Sequence, residues 1–138
     1  MRRTIVPAVV MVVAVFGLGI IAAEKPTPEF QNVMKSNGAT NGALRMHITA
    51  KDYDAIVADA VTLKDNYAKI EAFWTAKKVD DAIASAKAGA KGAADLEIAA
   101  KAKSDDGIAA ASKVVASTCG SCHMAHREQL PDKTFEIK

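Results

Sequence analysis

From Thr27 onwards, helix-start signals divide the chain into four long segments with helical rather than strand-like spacing. Glycine and proline are scarce after residue 42, alanine dominates, and no stretch alternates apolar and polar residues as a strand does. The start signals are Thr27 before Pro28, a capping box over residues 49–52, Asp80, and Ser104. They predict helices over 28–47, 51–77, 81–102 and 105–129, with Pro131 ending the last.

Each predicted helix carries one apolar stripe at steps of three and four residues. The stripe of the second helix consists of Tyr53, Ile56, Val57, Ala60, Leu63, Tyr67, Ile70 and Trp74. The third stripe is lean, with Ile83, Ala86, Ala90, Ala93 and Leu96, so a neighbouring helix can approach closely. The fourth runs through Ile108, Ala111, Val115, Thr118 and Cys122. Because short connections favour antiparallel neighbours, the sequence predicts an all-α, up-down-up-down four-helix bundle.

The fourth segment contains the motif Cys119-Gly120-Ser121-Cys122-His123, which uses both cysteines of the chain. C-x-x-C-H is the attachment sequence of c-type haem: two thioether bonds fix the porphyrin, and the histidine supplies an imidazole to the iron. In a helix, residues three and four apart share one face, so all three side chains point the same way. The motif therefore predicts one covalent haem c near the C-terminus.

Three other interpretations of the cysteine pair are weaker. A thioredoxin-type redox motif expects a βαβ unit, and no strand-like stretch is present. A zinc site lacks a second cysteine pair, since only His47 and His126 remain as further histidines. A disulfide within one helical turn would constrain almost nothing.

Residues 1–23 have the pattern of a signal peptide. Arg2 and Arg3 precede an apolar run over residues 5–21, which ends at Ala22 and Ala23 before Glu24. Export suits the motif, because such haem attachment takes place outside the bacterial cytoplasm. The expectation is a periplasmic domain over residues 24–138, tethered to the membrane only if residues 5–21 are retained as an anchor.

Charge gives little evidence for a highly charged partner. The full chain has 18 Lys and Arg against 16 Asp and Glu, and loss of Arg2 and Arg3 leaves 16 against 16. No basic run suggests nucleic-acid binding, because opposite charges are interspersed. No nucleophile or proton-transfer constellation suggests an enzyme.

A four-helix bundle with C-x-x-C-H near its C-terminus resembles the class II cytochromes c, which comprise cytochrome c′ and its low-spin relatives. Arg127, four residues after His123, matches the C-H-x-x-x-R extension of that family. Position alone leaves three roles open for Arg127: contact with the proximal side of the haem, contact with a propionate, or a surface ion pair with Glu128 or another helix. The resemblance covers residues 27–127 and implies that Arg127 lies near the proximal haem face. The chain departs from the family at Phe30, where many members have Arg, and in a tail that continues to Lys138.

The second axial position of the iron decides the function that this resemblance implies. Cytochrome c′ leaves the position open behind an apolar residue and binds gases such as nitric oxide, whereas the low-spin relatives fill it with Met and carry electrons. Met34 stands where the family places the blocking residue or the ligand. Antiparallel packing also places the start of the first helix beside His123, and Met46 lies about 18 Å further along the axis.

The prediction is therefore an electron carrier with His123 and Met34 as axial ligands, and the alternative is a five-coordinate protein that binds nitric oxide or carbon monoxide. Its expected partners are periplasmic or membrane redox proteins, and the sequence leaves homodimerisation open. The same matching of helix ends places Phe73, Trp74, Val79 and Ile83 near the porphyrin. His47 is expected at a surface or between helices. His126 is expected to face solvent, with a position at the haem edge as the alternative.

Overall fold

The computed structural model describes residues 23–138, so the predicted signal peptide lies outside the described residues except for Ala23. The chain forms four helices and a short hairpin: α1 (Pro28–Ala50), α2 (Tyr53–Lys77), α3 (Asp80–Lys101), α4 (Asp105–His126), β1 (Arg127–Gln129) and β2 (Phe135–Ile137). Consecutive helices pack against each other, and connections of two or three residues join them. The predicted four-helix bundle is confirmed.

Two of the four predicted helix starts have the predicted cap. The hydroxyl oxygen of Thr27 accepts a hydrogen bond from the Phe30 amide at 3.2 Å, and that of Ser104 accepts one from the Gly107 amide at 3.2 Å. Each bond satisfies one of the amide groups that the first helical turn leaves without a partner.

The other two start predictions were wrong in detail. Thr49 belongs to α1 and donates to the Arg45 carbonyl, while Asp52 caps α2 by accepting from the Ala55 amide at 3.1 Å. The cap position of α3 is Val79, which makes no side-chain cap hydrogen bond, and Asp80 is the first helical residue. An acidic residue there still stabilises α3, because the N-terminus of a helix carries partial positive charge.

The core lies along the predicted stripes. Its largest fully buried side chains are Ile56, Leu63, Leu96, Ile108 and Val115. The lean face of α3 allows the close approach that its sequence predicts: a Cβ at Gly89 would lie 2.2 Å from the Tyr67 ring. The α2–α3 packing therefore depends on a glycine at this position.

The C-terminal tail differs from the prediction. α4 ends at His126 instead of continuing to residue 129, and the chain then forms the antiparallel β1–β2 hairpin that the sequence analysis did not predict. Pro131 lies in its turn, where the Asp132 carboxylate accepts from the Thr134 amide at 2.9 Å. Ile137 is buried, and its backbone exchanges two hydrogen bonds with Glu24, at 2.8 and 3.1 Å. The hairpin therefore connects both ends of the described chain.

None of the helices between residues 23 and 138 combines the length and the apolar character needed to cross a bilayer.

Candidate haem-binding site

α1 and α4 are the first and last helices of the bundle, and two adjoining cavities lie between them. α1 packs on α2 and α4 packs on α3, but α1 and α4 have no extensive packing against each other. The cavities have volumes of about 490 and 500 Å³, within the range of pockets that bind organic ligands. The first continues along the bundle to Ile48 and Ser112, and the second ends at the hairpin.

The residues predicted to bind the haem line these two cavities. Cys119 lines the first cavity, while Cys122 and His123 line both. Met34 also lines both, from the opposite helix. The antiparallel packing thus brings the predicted axial pair to one site, as the matching of helix ends predicts.

α1 contributes few side-chain atoms to the wall of the first cavity at two of its positions. Gly38 and Gly42 follow Met34 at intervals of four residues, and nothing lies within 4 Å of the position that a Cβ would take at either glycine. Both therefore leave the backbone of α1 accessible from the first cavity, in which they are lining residues. A flat, bulky ligand can lie against such a wall.

A polar cluster lies beside Cys119. The Tyr67 hydroxyl is 3.3 Å from the Cys119 sulfur and 3.1 Å from the Thr118 hydroxyl, and it donates to the Val115 carbonyl at 3.3 Å. Burial raises the pKa of Tyr67, so this hydroxyl stays protonated. The Asn37 amide nitrogen lies 3.9 Å from the same sulfur, and its carbonyl oxygen is buried with no hydrogen-bond partner among the described residues.

Trp74 lies where the matching of helix ends predicts it, at the second cavity. It is almost fully buried, and its indole nitrogen has no hydrogen-bond partner among the described residues. The Phe73 ring meets it edge-on, with the ring centroids 5.2 Å apart. Phe73, Val79 and Ile83, which were also predicted near the porphyrin, pack in or against the core and line neither cavity.

His126 does not face solvent, so that prediction was wrong; it lines the second cavity, on the side of the alternative position at the haem edge. Its side chain is only 13% exposed, its ring centroid lies 5.1 Å from that of Trp74, and its Nε2 is 2.8 Å from the Asp81 carboxylate. The reason is that α4 ends at this residue, against the start of α3. His47 joins α1 to α2 through Asp59 at 2.7 Å, as expected of an inter-helix residue.

Arg127 is exposed and lines the second cavity, with its guanidinium carbon 4.2 Å from the centre of the Phe135 ring. Burial lowers the pKa of His123, and the charge of Arg127 lowers it further. The neutral imidazole favoured in this way is the form that binds metal ions. Burial likewise raises the pKa of the Cys122 thiol, and the charge of Asp81 adds to this effect.

The arrangement fits a haem better than a bare metal ion. Residues 23–138 contain no group of three or more His, Cys, Asp and Glu side chains suited to hold an ion. A porphyrin brings four nitrogen ligands of its own and needs only axial donors from the protein. The two buried polar atoms without a partner among the described residues, on Asn37 and Trp74, belong to residues that line the cavities.

No protein-family model, curated protein or solved structure matches the chain. The resemblance to class II cytochromes c therefore depends on the motif and on its position in the bundle.

Sequence reasoning missed several residues of the site. The polar pair of Asn37 and Tyr67 was not anticipated, because Tyr67 was assigned to the stripe of the core and Asn37 has no sequence signal. Gly38 and Gly42 had a usable signal, since both lie on the helical face of Met34. The residues that the hairpin contributes, Thr134 to Ile137, come from the unpredicted fold of the tail.

Proposed function

We propose that this chain is an exported c-type cytochrome that carries single electrons through one covalently bound haem, with His123 and Met34 as axial ligands. The observation that carries the proposal is that Met34 on α1 and Cys122 and His123 on α4 line the same two cavities. When bound, the haem supplies an iron that exchanges one electron between its ferric and ferrous states.

The roles of the protein groups follow from their chemistry. Cys119 and Cys122 would each form a thioether bond to the porphyrin, which would fix its position against α4. His123 would supply the neutral imidazole, which the burial of its side chain favours. Met34 would supply a thioether sulfur, a ligand that raises the reduction potential of haem iron.

The bundle also suits electron transfer because the helices that carry the site pack on an apolar core. The fully buried Val115 and nearly fully buried Trp74 belong to the helices that carry the site, α4 and α2. A close-packed core of this kind would hold the helices that carry the two axial donors in place, which would limit the rearrangement that accompanies a change of charge. Partners would be redox proteins of the periplasm or the membrane. The proposal assigns no catalytic reaction to the chain.

The test is the visible spectrum of the purified holoprotein in both oxidation states, with Met34→Ala beside the wild type. Met46→Ala is the matched control, because Met46 is 67% exposed and lines neither cavity. We expect low-spin bands in both states and a ferric sulfur-to-iron band that disappears only in Met34→Ala. A high-spin spectrum that Met34→Ala leaves unchanged and that carbon monoxide or nitric oxide alters would instead identify a gas-binding protein of the cytochrome c′ type.

A further inference from the structure

The two cavities are bordered by an excess of positive charge. Five of the 16 Lys and Arg residues between positions 23 and 138 line them, but only one of the 16 Asp and Glu residues does, Glu136. These five exposed side chains form what we call the basic rim: Lys25, Lys35, Arg45, Lys113 and Arg127. None of the five has a carboxylate within 4 Å among the residues that the structure describes.

The rest of the described chain is different. Six other lysines form ion pairs with carboxylates, such as Lys64 with Glu97 at 2.8 Å. Outside the cavities, the described chain has 11 Lys and Arg residues against 15 Asp and Glu residues, a formal charge of −4, whereas the cavity border carries +4. Residues 23–138, which carry equal numbers of acidic and basic side chains, therefore have their positive charge in excess at the border of the candidate site.

The basic rim borders both cavities. Lys25, Lys35 and Arg127 line the second cavity, near the hairpin, while Arg45 and Lys113 line the first. Lys35 and Arg45 are ten residues apart on α1, or about 15 Å along its axis. The two propionates of a bound haem would offset at most two of the four excess positive charges at the cavity border. A net positive charge would therefore remain at the basic rim with the haem bound.

We infer that the basic rim is the docking surface for an acidic surface patch on a protein electron donor or acceptor, an inference that rests on the proposed function. For electron transfer, a partner must approach the candidate haem closely. The basic rim borders the open side of the cavities, between α1 and α4, where no helix separates them from solvent. Opposite charges around such an opening orient the two proteins before contact and raise the association rate, and salt weakens the effect. An acidic protein fits a domain whose residues 23–138 sum to zero formal charge better than nucleic acid, which needs a more basic chain.

The test uses the ferrous holoprotein and compares Lys113→Glu with Lys69→Glu in stopped-flow oxidation. Both lysines are exposed and unpaired in the described chain, but only Lys113 lines a cavity. The oxidants are ferricyanide, a trianion, and tris(phenanthroline)cobalt(III), a trication. At an ionic strength of about 0.01 M we expect Lys113→Glu to slow ferricyanide roughly tenfold and to accelerate the cobalt complex, with a much smaller effect at about 0.15 M. Lys69→Glu should change either rate less than twofold.

The second measurement uses an acidic [2Fe–2S] ferredoxin as the electron donor to the ferric holoprotein. The expected rate falls as salt is added and falls again in Lys113→Glu but not in Lys69→Glu. Equal responses of the two variants, or a ferredoxin rate independent of salt, would overturn the assignment of the rim while leaving the haem in place. Salt-sensitive binding to anionic phospholipid vesicles, without a response to ferredoxin, would overturn it in favour of a membrane surface. A purified protein without covalent haem would instead refute the proposed function, and the rim with it.

Discussion

Replacement of Gly89 by alanine is a demanding test of the packing between α2 and α3. The added methyl carbon would lie 2.2, 2.4 and 2.6 Å from three atoms of the Tyr67 ring, distances at which the ring has to move. Tyr67 has little room to do so, since it is only 4% exposed and its hydroxyl contacts Val115, Thr118 and Cys119.

The expected loss of stability has three contributions. Overpacking of a well-packed core costs about 1–3 kcal/mol. A buried hydroxyl that loses its partners costs about 1–3 kcal/mol more. The better helix propensity of alanine returns about 1 kcal/mol. The free energy of unfolding should therefore fall by about 3 kcal/mol, with a matching shift of the urea midpoint.

The assay is equilibrium urea unfolding followed by circular dichroism. Gly120→Ala is the matched control, because it lies in a helix with nothing within 4 Å of its Cβ position and keeps the C-x-x-C-H motif. That variant should be more stable than the wild type by about 1 kcal/mol. If Gly89→Ala were as stable as the wild type, the close approach of Tyr67 to α3 would be wrong.

Two further predictions concern the helix ends and the surface. Lys78 ends α2 in the left-handed conformation, with φ of 58°. Because glycine adopts this conformation without strain, Lys78→Gly should raise the free energy of unfolding, measured by urea titration, by about 0.5–1 kcal/mol. An unchanged or lower value would contradict the assigned backbone conformation. Hydrogen bonds from Lys101 and Lys64 lower the pKa of Glu97 to about 2. Because the folded value is then below the unfolded one, these bonds stabilise the fold above about pH 4.5 and lose their effect as the pH falls towards 2. Glu97→Gln should flatten the pH dependence of stability in that window, and an NMR titration of Glu97 near its ordinary value would contradict the assignment.

The helices could be predicted from the sequence because both their caps and their stripes are local signals. Thr27 and Ser104 cap α1 and α4 as predicted. The local sequence does not distinguish Thr49 from Asp52 as the cap of α2, because both residue types favour cap positions. In the structure Thr49 belongs to the last turn of α1, and Asp52 is the cap.

The hairpin could not be predicted in the same way. Its strands have only three residues each. They are held in place by contacts between residues far apart in the sequence, since Ile137 is buried and pairs with Glu24. The sequence predicted a longer α4 because Pro131 was used as its stop signal, whereas the structure ends the helix at His126, where β1 begins.

The candidate site was predictable where its residues have a chemical signature. Cys119, Cys122 and His123 are identified by their spacing, and Met34 by its distance from the start of α1. Asn37 and Tyr67 have no such signature, because their nearness to Cys119 arises only when three helices pack together. The basic rim is also a property of the fold, since its members are spread from position 25 to position 127.

The most direct test of the central claim is the intact mass of the chain expressed with a bacterial cytochrome c maturation system. The account predicts a mass greater by one haem, an absorption spectrum of haem c after alkaline pyridine treatment, and loss of both in Cys119→Ala/Cys122→Ala. The same spectrum of masses shows whether the chain begins at Glu24 or retains residues 1–23. A folded helical protein with the mass of the unmodified chain would contradict the account.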